Sequence, residues 1–332
     1  MRLALRLALF SCLLLAAGLP ASAETGEVRI TRQPGVLYVP LVLMEANKLI
    51  EKQVKAAGLA DVKVSWVMFN SGGAATDALL SGNVDFVVSG ATNMLLMWDK
   101  TKGQVKGVAA VGGMPMYLLT RNPEVKSLKD FTEKNKIAVP TLKVSSQAVV
   151  LQMAAEQAFG ATGYSKLDTI TIQLGHPDAM AAVLSNAGEI DSHFSLPPYQ
   201  QIELRDARVH KVLSSNEVFG GPFNNAVMYG NEKFRSANPK VMAAVVAALG
   251  EAHAMLKADP KAAAETYLAQ FKEKVTADEL VAMLKEPGAA FDTAPVGLDK
   301  LSAFMAKTGT IKTTPASWKD FFFPEAHAMN GN

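Results

Sequence analysis

The sequence predicts an α/β protein of two similar lobes. Its 332 residues are 49% hydrophobic and 19% charged, which suits a globular chain of about two domains. Short apolar strands alternate with amphipathic helices through glycine-bearing links, the pattern of a parallel sheet with crossover helices. The stretch "LLSGNVDFVVSGATN" (79–93) also has a later echo, "VLSNAGEIDSHFSLPP" (183–198). Each runs from an apolar helix through Gly into a hydrophobic-Asp strand that ends in small polar residues.

The first 23 residues predict a cleavable signal peptide. They contain Arg2 and Arg6 but no acid, then an apolar run, then Ala21-Ser22-Ala23, and cleavage is expected after Ala23. The only cysteine, Cys12, leaves with this leader, so we expect neither disulfides nor thiol chemistry. Removing two of the 33 basic residues leaves 31 basic against 31 acidic ones. This balance argues against nucleic-acid binding through bulk charge.

Strands and helices alternate along the first part of the mature chain. Strands are predicted at 27–30, 62–69 and 84–90, with helices over 39–57, from the glycine turn "NSGG" to Gly82, and over 91–100. "VKGVAAVGG" and "MYLLTRN" add two further strands. A second series starts near residue 127, with strands at 136–140, 169–174, 189–195 and 209–213 and helices at 145–160, at 177–186 and from Pro197. "EVFGGPFNNAVMYGN" predicts a strand that returns to the first lobe.

The C-terminal third is alanine-rich and helical. Pro239 and Pro260 follow Asn238 and Asp259, as expected at the first position of a helix, and Thr276 is a predicted N-cap.

Ligands of open α/β sheets bind beyond the carboxyl ends of the strands, where helices begin. Applied here, this rule selects five turns: 32–38, 70–73, 90–93, 141–147 and 193–195. Backbone N–H groups, hydroxyls and amides at helix starts hold anions or polar oxygens. Each turn also has a purely structural explanation, since serines cap helices and glycines make tight turns. Their convergence on one side of two sheets is what favours a site.

Sequence motifs for enzymes are mostly absent. There is no HExxH, GxxxxGK[ST], GxSxG or dinucleotide-binding glycine fingerprint, and the five histidines show no paired metal-ligand spacing. We therefore expect no catalytic residues, no metal and no cofactor.

The chain resembles a known family. "VRITRQPGVLYVPLVLMEANKLIEK", "NSGGAATDALLSGNVDFVVSGATN", "IAVPTLKVSSQAVVLQMAAEQAFG" and "HPDAMAAVLSNAGEIDSHFSLPPY" are similar, in this order, to periplasmic substrate-binding proteins of nitrate/taurine/sulfonate-type ABC importers. The resemblance covers nearly all of the mature chain. It implies a two-lobed α/β fold of the periplasmic-binding-protein kind, a type II Venus flytrap with two crossing segments.

The resemblance also implies boundaries and a site. Lobe 1 would comprise 24–118 and 222–332, lobe 2 would be 119–221, and the crossings would lie near Thr120-Arg121 and Phe219-Gly220. The binding positions that carry over are Arg32, Gln33, Tyr38, Ser71, Gly72, Gly90, Ala91, Ser145, Ser146, His193, Phe194 and Asn224.

The function that this implies is capture of a small organic anion, a sulfonate or carboxylate that could be aromatic, in the periplasm. The expected partners are this ligand and a membrane permease with its ATPase, and the carrier itself is expected to be a monomer. Three alternatives stay open: a binder of a neutral heterocycle such as a pyrimidine, a pyrimidine-synthase-like enzyme on the same fold, and a sensor module.

Overall fold

Two five-stranded mixed sheets with flanking helices build the molecule, forming a two-lobed α/β architecture. The computed structural model describes residues 24–185 and 188–332. The predicted signal peptide, residues 1–23, lies outside the described residues.

The first sheet has the strand order β2-β1-β3-β10-β4. Its strands are β1 (Glu27–Arg32), β2 (Lys63–Met68), β3 (Phe86–Gly90), β4 (Val105–Gly112) and, from late in the chain, β10 (Ala226–Asn231). β1 pairs in parallel with β2 and β3, whereas β10 runs antiparallel to both β3 and β4. The expected return strand is therefore the link that joins β4 to the rest of the sheet.

The second sheet repeats this arrangement, with the order β7-β6-β8-β5-β9. Its strands are β5 (Tyr117–Thr120), β6 (Ile137–Val139), β7 (Thr171–Gln173), β8 (Ser192–Ser195) and β9 (His210–Ser214). Here β5 is the antiparallel insertion, between β8 and β9. The two similar stretches noted in the sequence supply β3 and β8, which occupy the same position in the two sheets.

The chain changes sheets twice. It passes from the first sheet to the second between Gly112 and Tyr117, and returns between Ser214 and Ala226. Thr120 is the last residue of β5, so the first passage lies a few residues before the crossing expected at Thr120-Arg121. The expected return point at Phe219-Gly220 lies within the second passage.

Helices connect the strands and cover both faces of the sheets. They are α1 (Val39–Ala46), α2 (Leu49–Ala56), α3 (Gly72–Leu80), α4 (Ala91–Lys100), α5 (Ser146–Phe159), α6 (His176–Leu184), α7 (Tyr199–Glu203), α8 (Ser215–Phe219), α9 (Glu232–Ala237), α10 (Pro239–Ala258), α11 (Pro260–Gln270), α12 (Ala277–Leu284) and α13 (Leu298–Lys307). The single helix predicted over 39–57 is two helices, because Lys48 has a left-handed backbone conformation (φ 49°) that ends the first one.

The longest described helix, α10, lies in the core of the first lobe. It packs on α1 and α2, and Val245, Ala248 and Leu249 are fully buried there. Among the described residues it is the one helix whose length and hydropathy would allow a membrane span, and half of that window is buried. A core helix with this alanine-rich composition passes the same test.

Candidate functional site

A narrow cavity lies between the two sheets, where the strand ends of both lobes meet. The space that the centre of a water molecule can occupy inside it is about 20 Å³. This small volume indicates that the two lobes are closed upon each other. Its lining comprises Gln33, Leu37, Tyr38, Gly72, Gly90, Asn93, Met116, Pro140, Ser145, Ser146, Gln147, His176, Leu196 and Asn225.

Four helices begin at this cavity, two from each lobe. α3 starts at the lining residue Gly72, α4 follows Gly90, α5 follows Ser145, and α6 starts at His176. The free N–H groups and the positive dipole ends of helix starts favour anions and polar oxygens. These four helix starts therefore direct partial positive charge at the cavity.

No Lys, Arg, Asp or Glu occurs among the described residues that line the cavity. His176 is the one ionisable imidazole there, and burial together with the neighbouring His193 holds its pKa well below 6.5. It is therefore a neutral group at physiological pH.

Two glycines of the first lobe let the chain approach neighbouring side chains closely. A Cβ on Gly72 would lie 2.1 Å from Asn93 Nδ2, and one on Gly90 would lie 2.9 Å from Ser146 Oγ. Contacts this short exclude a side chain at either position unless a neighbour moves. The glycines of the 70–73 and 90–93 turns thus make room for Asn93 and Ser146.

Two polar groups in the wall are available to a ligand. Tyr38 Oη and the Asn93 side chain have no hydrogen-bond partner within the described ranges, 24–185 and 188–332, and both residues are nearly buried. Burial raises the pKa of the Tyr38 phenol, so this hydroxyl remains a donor. Buried polar groups of this kind gain from a bound partner.

Six of the twelve sequence-predicted site residues line the cavity: Gln33, Tyr38, Gly72, Gly90, Ser145 and Ser146. Gln33 Nε2 donates to the Val88 carbonyl at 3.1 Å, and Ser145 Oγ accepts from the Ala148 N–H as the N-cap of α5. Each of these two side chains therefore already makes one hydrogen bond to the protein backbone.

The other six lie outside the lining. Ser71 is the N-cap of α3, and Ala91 and Phe194 belong to the hydrophobic core. Asn224 Oδ1 accepts from the Val296 N–H, and the Asn224 N–H donates to the Val296 carbonyl. The next residue, Asn225, lines the cavity instead.

Arg32 and His193 are the remaining two. Arg32 turns away from the cavity, where it pairs with Glu45, donates to Gln270 Oε1 at 2.7 Å and lies over the Phe271 ring. His193 lies one layer behind the wall, and its Nε2 is 2.8 Å from Nδ1 of His176. The sequence suggested isolated histidines, whereas in the structure these two contact each other.

Several lining residues were not predicted as site residues. Asn93 and Gln147 belong to two of the five selected turns, whereas His176 follows β7 in a link to which the strand-end rule was not applied. That rule would have found it, because Gly175-His176-Pro177 directly joins a strand to a helix. Among the described residues no group of three or more His, Cys, Asp or Glu could hold a metal ion.

Comparison with known proteins gives a family and a fold. The sequence model of the NMT1-like family matches residues 21–271. No curated protein matches the chain.

Solved structures match over nearly the whole chain. The alkanesulfonate-binding protein SsuA of Xanthomonas axonopodis pv. citri, bound to MOPS, is 18% identical with a TM-score of 0.70, covering 92% of this chain and 98% of that one. The periplasmic aliphatic sulphonate-binding protein SsuA of Escherichia coli is 19% identical (TM-score 0.64; 86% and 91% covered). The ligand-binding component of an ABC-type import system of Staphylococcus aureus, with zinc bound, is 16% identical (TM-score 0.69; 92% and 98% covered). At these identities the likeness establishes the shared fold.

Proposed function

Since the chain belongs to the NMT1-like family and has the fold of periplasmic binding proteins, we propose that it is the substrate-binding protein of an ABC importer. It captures a small organic anion, a sulfonate or a carboxylate, and delivers it to a membrane permease served by an ATPase. The carrier works as a monomer in the periplasm after loss of residues 1–23.

The observation that carries this proposal is the convergence of four helix starts on an uncharged cavity. Such a cavity stabilises an anion through N–H groups and helix dipoles without a buried counter-charge. Hydroxyls from Tyr38 and Ser146 and the Asn93 amide extend this set of polar contacts. The apolar walls formed by Leu37, Met116 and Leu196 suit the ligand's carbon skeleton.

Contacts between the lobes at the cavity rim support capture by closure. The Val36 N–H donates to the Pro197 carbonyl at 3.0 Å, and the Gly73 N–H donates to Thr141 Oγ1 at 3.3 Å. A ligand favours the closed form to the extent that it contacts both lobes. Opening would be a hinge motion about the two segments between the sheets, 113–116 and 215–225.

A neutral heterocycle such as a pyrimidine is the second candidate ligand. It is favoured by the placement of Arg32, whose guanidinium is paired outside the cavity, and by the absence of charged side chains from the described lining. Tyr38, Asn93 and Gln147 provide donors and acceptors for ring nitrogens and carbonyls.

A ligand screen tests the proposal. Purified mature protein is heated with sulfonates, carboxylates, nitrate and pyrimidines, and positive compounds are followed by calorimetry. A ligand at a hundred times its dissociation constant adds about 2.7 kcal/mol to the free energy of unfolding, a measurable rise in Tm. Binding by anions alone supports the main proposal, and binding by pyrimidines alone supports the second candidate. Recovery of a chemically altered ligand would contradict both and indicate an enzyme.

A further inference from the structure

Behind the cavity wall, four buried side chains form a continuous hydrogen-bonded relay. Gln147 Nε2 is 3.1 Å from His176 Nε2, His176 Nδ1 is 2.8 Å from His193 Nε2, and His193 Nδ1 is 2.8 Å from Glu203 Oε1. His193 and Glu203 are fully buried, and Gln147 and His176 are nearly so. The relay therefore connects the cavity to a carboxyl group that solvent does not reach.

An acceptor at Glu203 gives every bond in this relay one direction. Glu203 Oε1 accepts from the N–H of His193 Nδ1, and a ring that carries its one proton there accepts at Nε2. His176 donates to it from Nδ1, and because burial lowers its pKa, His176 is neutral and accepts at its own Nε2. Among the residues that the structure describes, the donor facing that nitrogen is Nε2 of the Gln147 amide.

The same arrangement determines what Gln147 presents to a ligand. With its N–H₂ group committed to His176, the amide oxygen is left, and Gln147 Oε1 has no hydrogen-bond partner in the part of the chain that the structure describes. Gln147 lines the cavity as the second residue of α5. The His176 ring is held in place by stacking on Tyr199, with ring centres 6.0 Å apart and planes 12° apart.

We propose that Glu203, acting through His193 and His176, is a positioning residue that keeps Gln147 Oε1 available in the cavity and so selects ligands with an N–H or O–H donor. This inference rests on the proposed function and sharpens its substrate class: the ligand combines an anionic group with a hydrogen-bond donor elsewhere on the molecule. A site whose buried acceptor would be left unpaired strongly rejects an analogue that lacks the donor.

Matched probes test the selection. Calorimetry compares 2-hydroxyethanesulfonate with 2-fluoroethanesulfonate, and 3-hydroxypropanoate with 3-fluoropropanoate, since fluorine replaces the hydroxyl at similar size but donates no hydrogen bond. We expect the wild-type protein to prefer the hydroxyl probe by about tenfold or more, equivalent to about 1.4 kcal/mol. Equal affinities would overturn the inference and leave the proposed function standing.

The variant Glu203→Gln tests the relay itself. An amide at this position can donate to His193 Nδ1, which reverses each bond and turns the Gln147 N–H₂ group towards the ligand, or accept from it, which keeps each bond as it is. Nitrogen-15 NMR of the variant shows which ring nitrogen of His193 bears the proton. Where the bonds are reversed, we expect the hydroxyl-to-fluoro preference to fall to within about threefold of one, whereas the control Glu251→Gln, at a Glu paired with Lys52 within the first lobe, keeps the wild-type ratio. The inference would be overturned by an unchanged ratio in a folded variant whose His193 is protonated at Nε2, or by a lost preference in one whose His193 stays protonated at Nδ1.

A second readout needs neither ligand nor variant. Nitrogen-15 NMR of the wild-type protein reports which ring nitrogen of each histidine bears the proton. We expect both His176 and His193 to be protonated at Nδ1 only, and a proton on Nε2 of His176 would overturn the inference. If no sulfonate or carboxylate binds, the anion class of the proposed function fails, and this measurement still decides the relay.

Discussion

Arg32 illustrates, at the scale of the residue, how position in the fold overrides residue type. The sequence makes it the natural cation for an anionic ligand, because it ends β1 in a turn at the cleft edge. In the structure its guanidinium is paired with Glu45 and Gln270 and stacked over Phe271, on the far side of the strand end. Its charge therefore stabilises the first lobe.

The Arg32→Ala variant should bind the ligand with less than about a twofold change in affinity, far below the tenfold step that 1.4 kcal/mol produces. It should lower the free energy of unfolding by about 1 kcal/mol, as expected for a partly exposed ion pair. Calorimetry and urea unfolding measure the two quantities. Arg235→Ala is the matched control, since Arg235 pairs with Glu232 and Glu325 and lies over Phe323. A tenfold loss of affinity in the Arg32 variant alone would restore Arg32 to the site.

Gly72 is the lining glycine at which an added Cβ would lie nearest to a neighbouring atom. In Gly72→Ala, the new Cβ would lie 2.1 Å from Asn93 Nδ2, so this amide must move from its place in the wall. We expect affinity to fall about tenfold, or about 1.4 kcal/mol. The control Gly250→Ala adds a Cβ with nothing within 4 Å, inside α10, and should leave affinity unchanged while stabilising the helix by up to about 1 kcal/mol. Equal affinities for the two variants would show that Asn93 is not needed for binding.

The sequence could identify which turns reach the cleft, but not which side chain of each turn faces it. Gly72, Gly90 and Ser145 follow from the strand-end rule because backbone at a helix start has few alternatives. Asn224 was the predicted site residue, but Asn225 lines the cavity. A shift of one residue is enough for this, because successive side chains of an extended chain point in opposite directions. The contact between His176 and His193 depends on β7 and β8 both pairing with β6, and no local pattern encodes it.

At the scale of the element, β10 shows how one late strand completes a lobe. Tyr229 lies within it, fully buried, and its hydroxyl is 2.8 Å from Ser89 Oγ on β3 and 2.7 Å from Thr76 Oγ1 on α3. Thr76 Oγ1 in turn donates to the Gly72 carbonyl at 2.7 Å. This network ties the return strand to the start of a helix that lines the cavity.

Replacing Tyr229 by Phe should therefore lower the free energy of unfolding by about 1–3 kcal/mol, because a buried serine hydroxyl loses its partner. Urea unfolding measures this change, provided that the slope of the free energy of unfolding against urea concentration stays as in the wild-type protein. Tyr164→Phe is the control: its hydroxyl makes one long contact, 3.4 Å to the Thr308 carbonyl, and its loss should cost under about 1 kcal/mol. A Tyr229 variant as stable as the control would contradict the structural role of this network.

The predicted order of strands agrees with the structure through both lobes, whereas the helices agree only in part. Apolar periodicity located β1 to β10 because each strand is short and bounded by glycine or polar turns. Periodicity says nothing about strand direction, so the antiparallel insertion of β5 and β10 was not expected. Three helices were also missed: α8 and α9, whose five or six residues carry too little periodicity to be recognised, and the ten-residue α13.

At the scale of the whole molecule, the closed state brings carboxyl groups of the first lobe against tyrosines of the second. Tyr199 Oη donates to Glu273 Oε1 at 3.1 Å, and burial raises the pKa of this carboxyl above 4.5. A raised pKa means that the closed form binds the proton more tightly than an open form in which Glu273 is exposed. Closure is thus favoured as pH falls through the raised pKa towards 4.5, and is disfavoured as pH rises above it.

Ligand affinity should accordingly weaken as pH rises from 4.5 towards 8, and Glu273→Gln should flatten this dependence and bind more tightly at neutral pH. The amide keeps an acceptor for Tyr199 without acquiring a charge. Calorimetry over this pH range, with Glu251→Gln as control, measures the effect. Parallel profiles for the wild-type protein and the Glu273 variant would rule out proton-linked closure at this position.

The insertion of β5 and β10 also bears on how the protein could be divided. Among the described strands β10 is the one neighbour of β4, so a fragment ending near residue 114 would carry β4 without this neighbour, and the complementary fragment would carry β10 without β3. The second sheet, β5 to β9, lies wholly in the C-terminal piece, but neither piece contains a complete first sheet. A chain cut between residues 113 and 116 would therefore regain the first sheet only by fragment complementation, which makes this passage a natural position for a split reporter of ligand uptake.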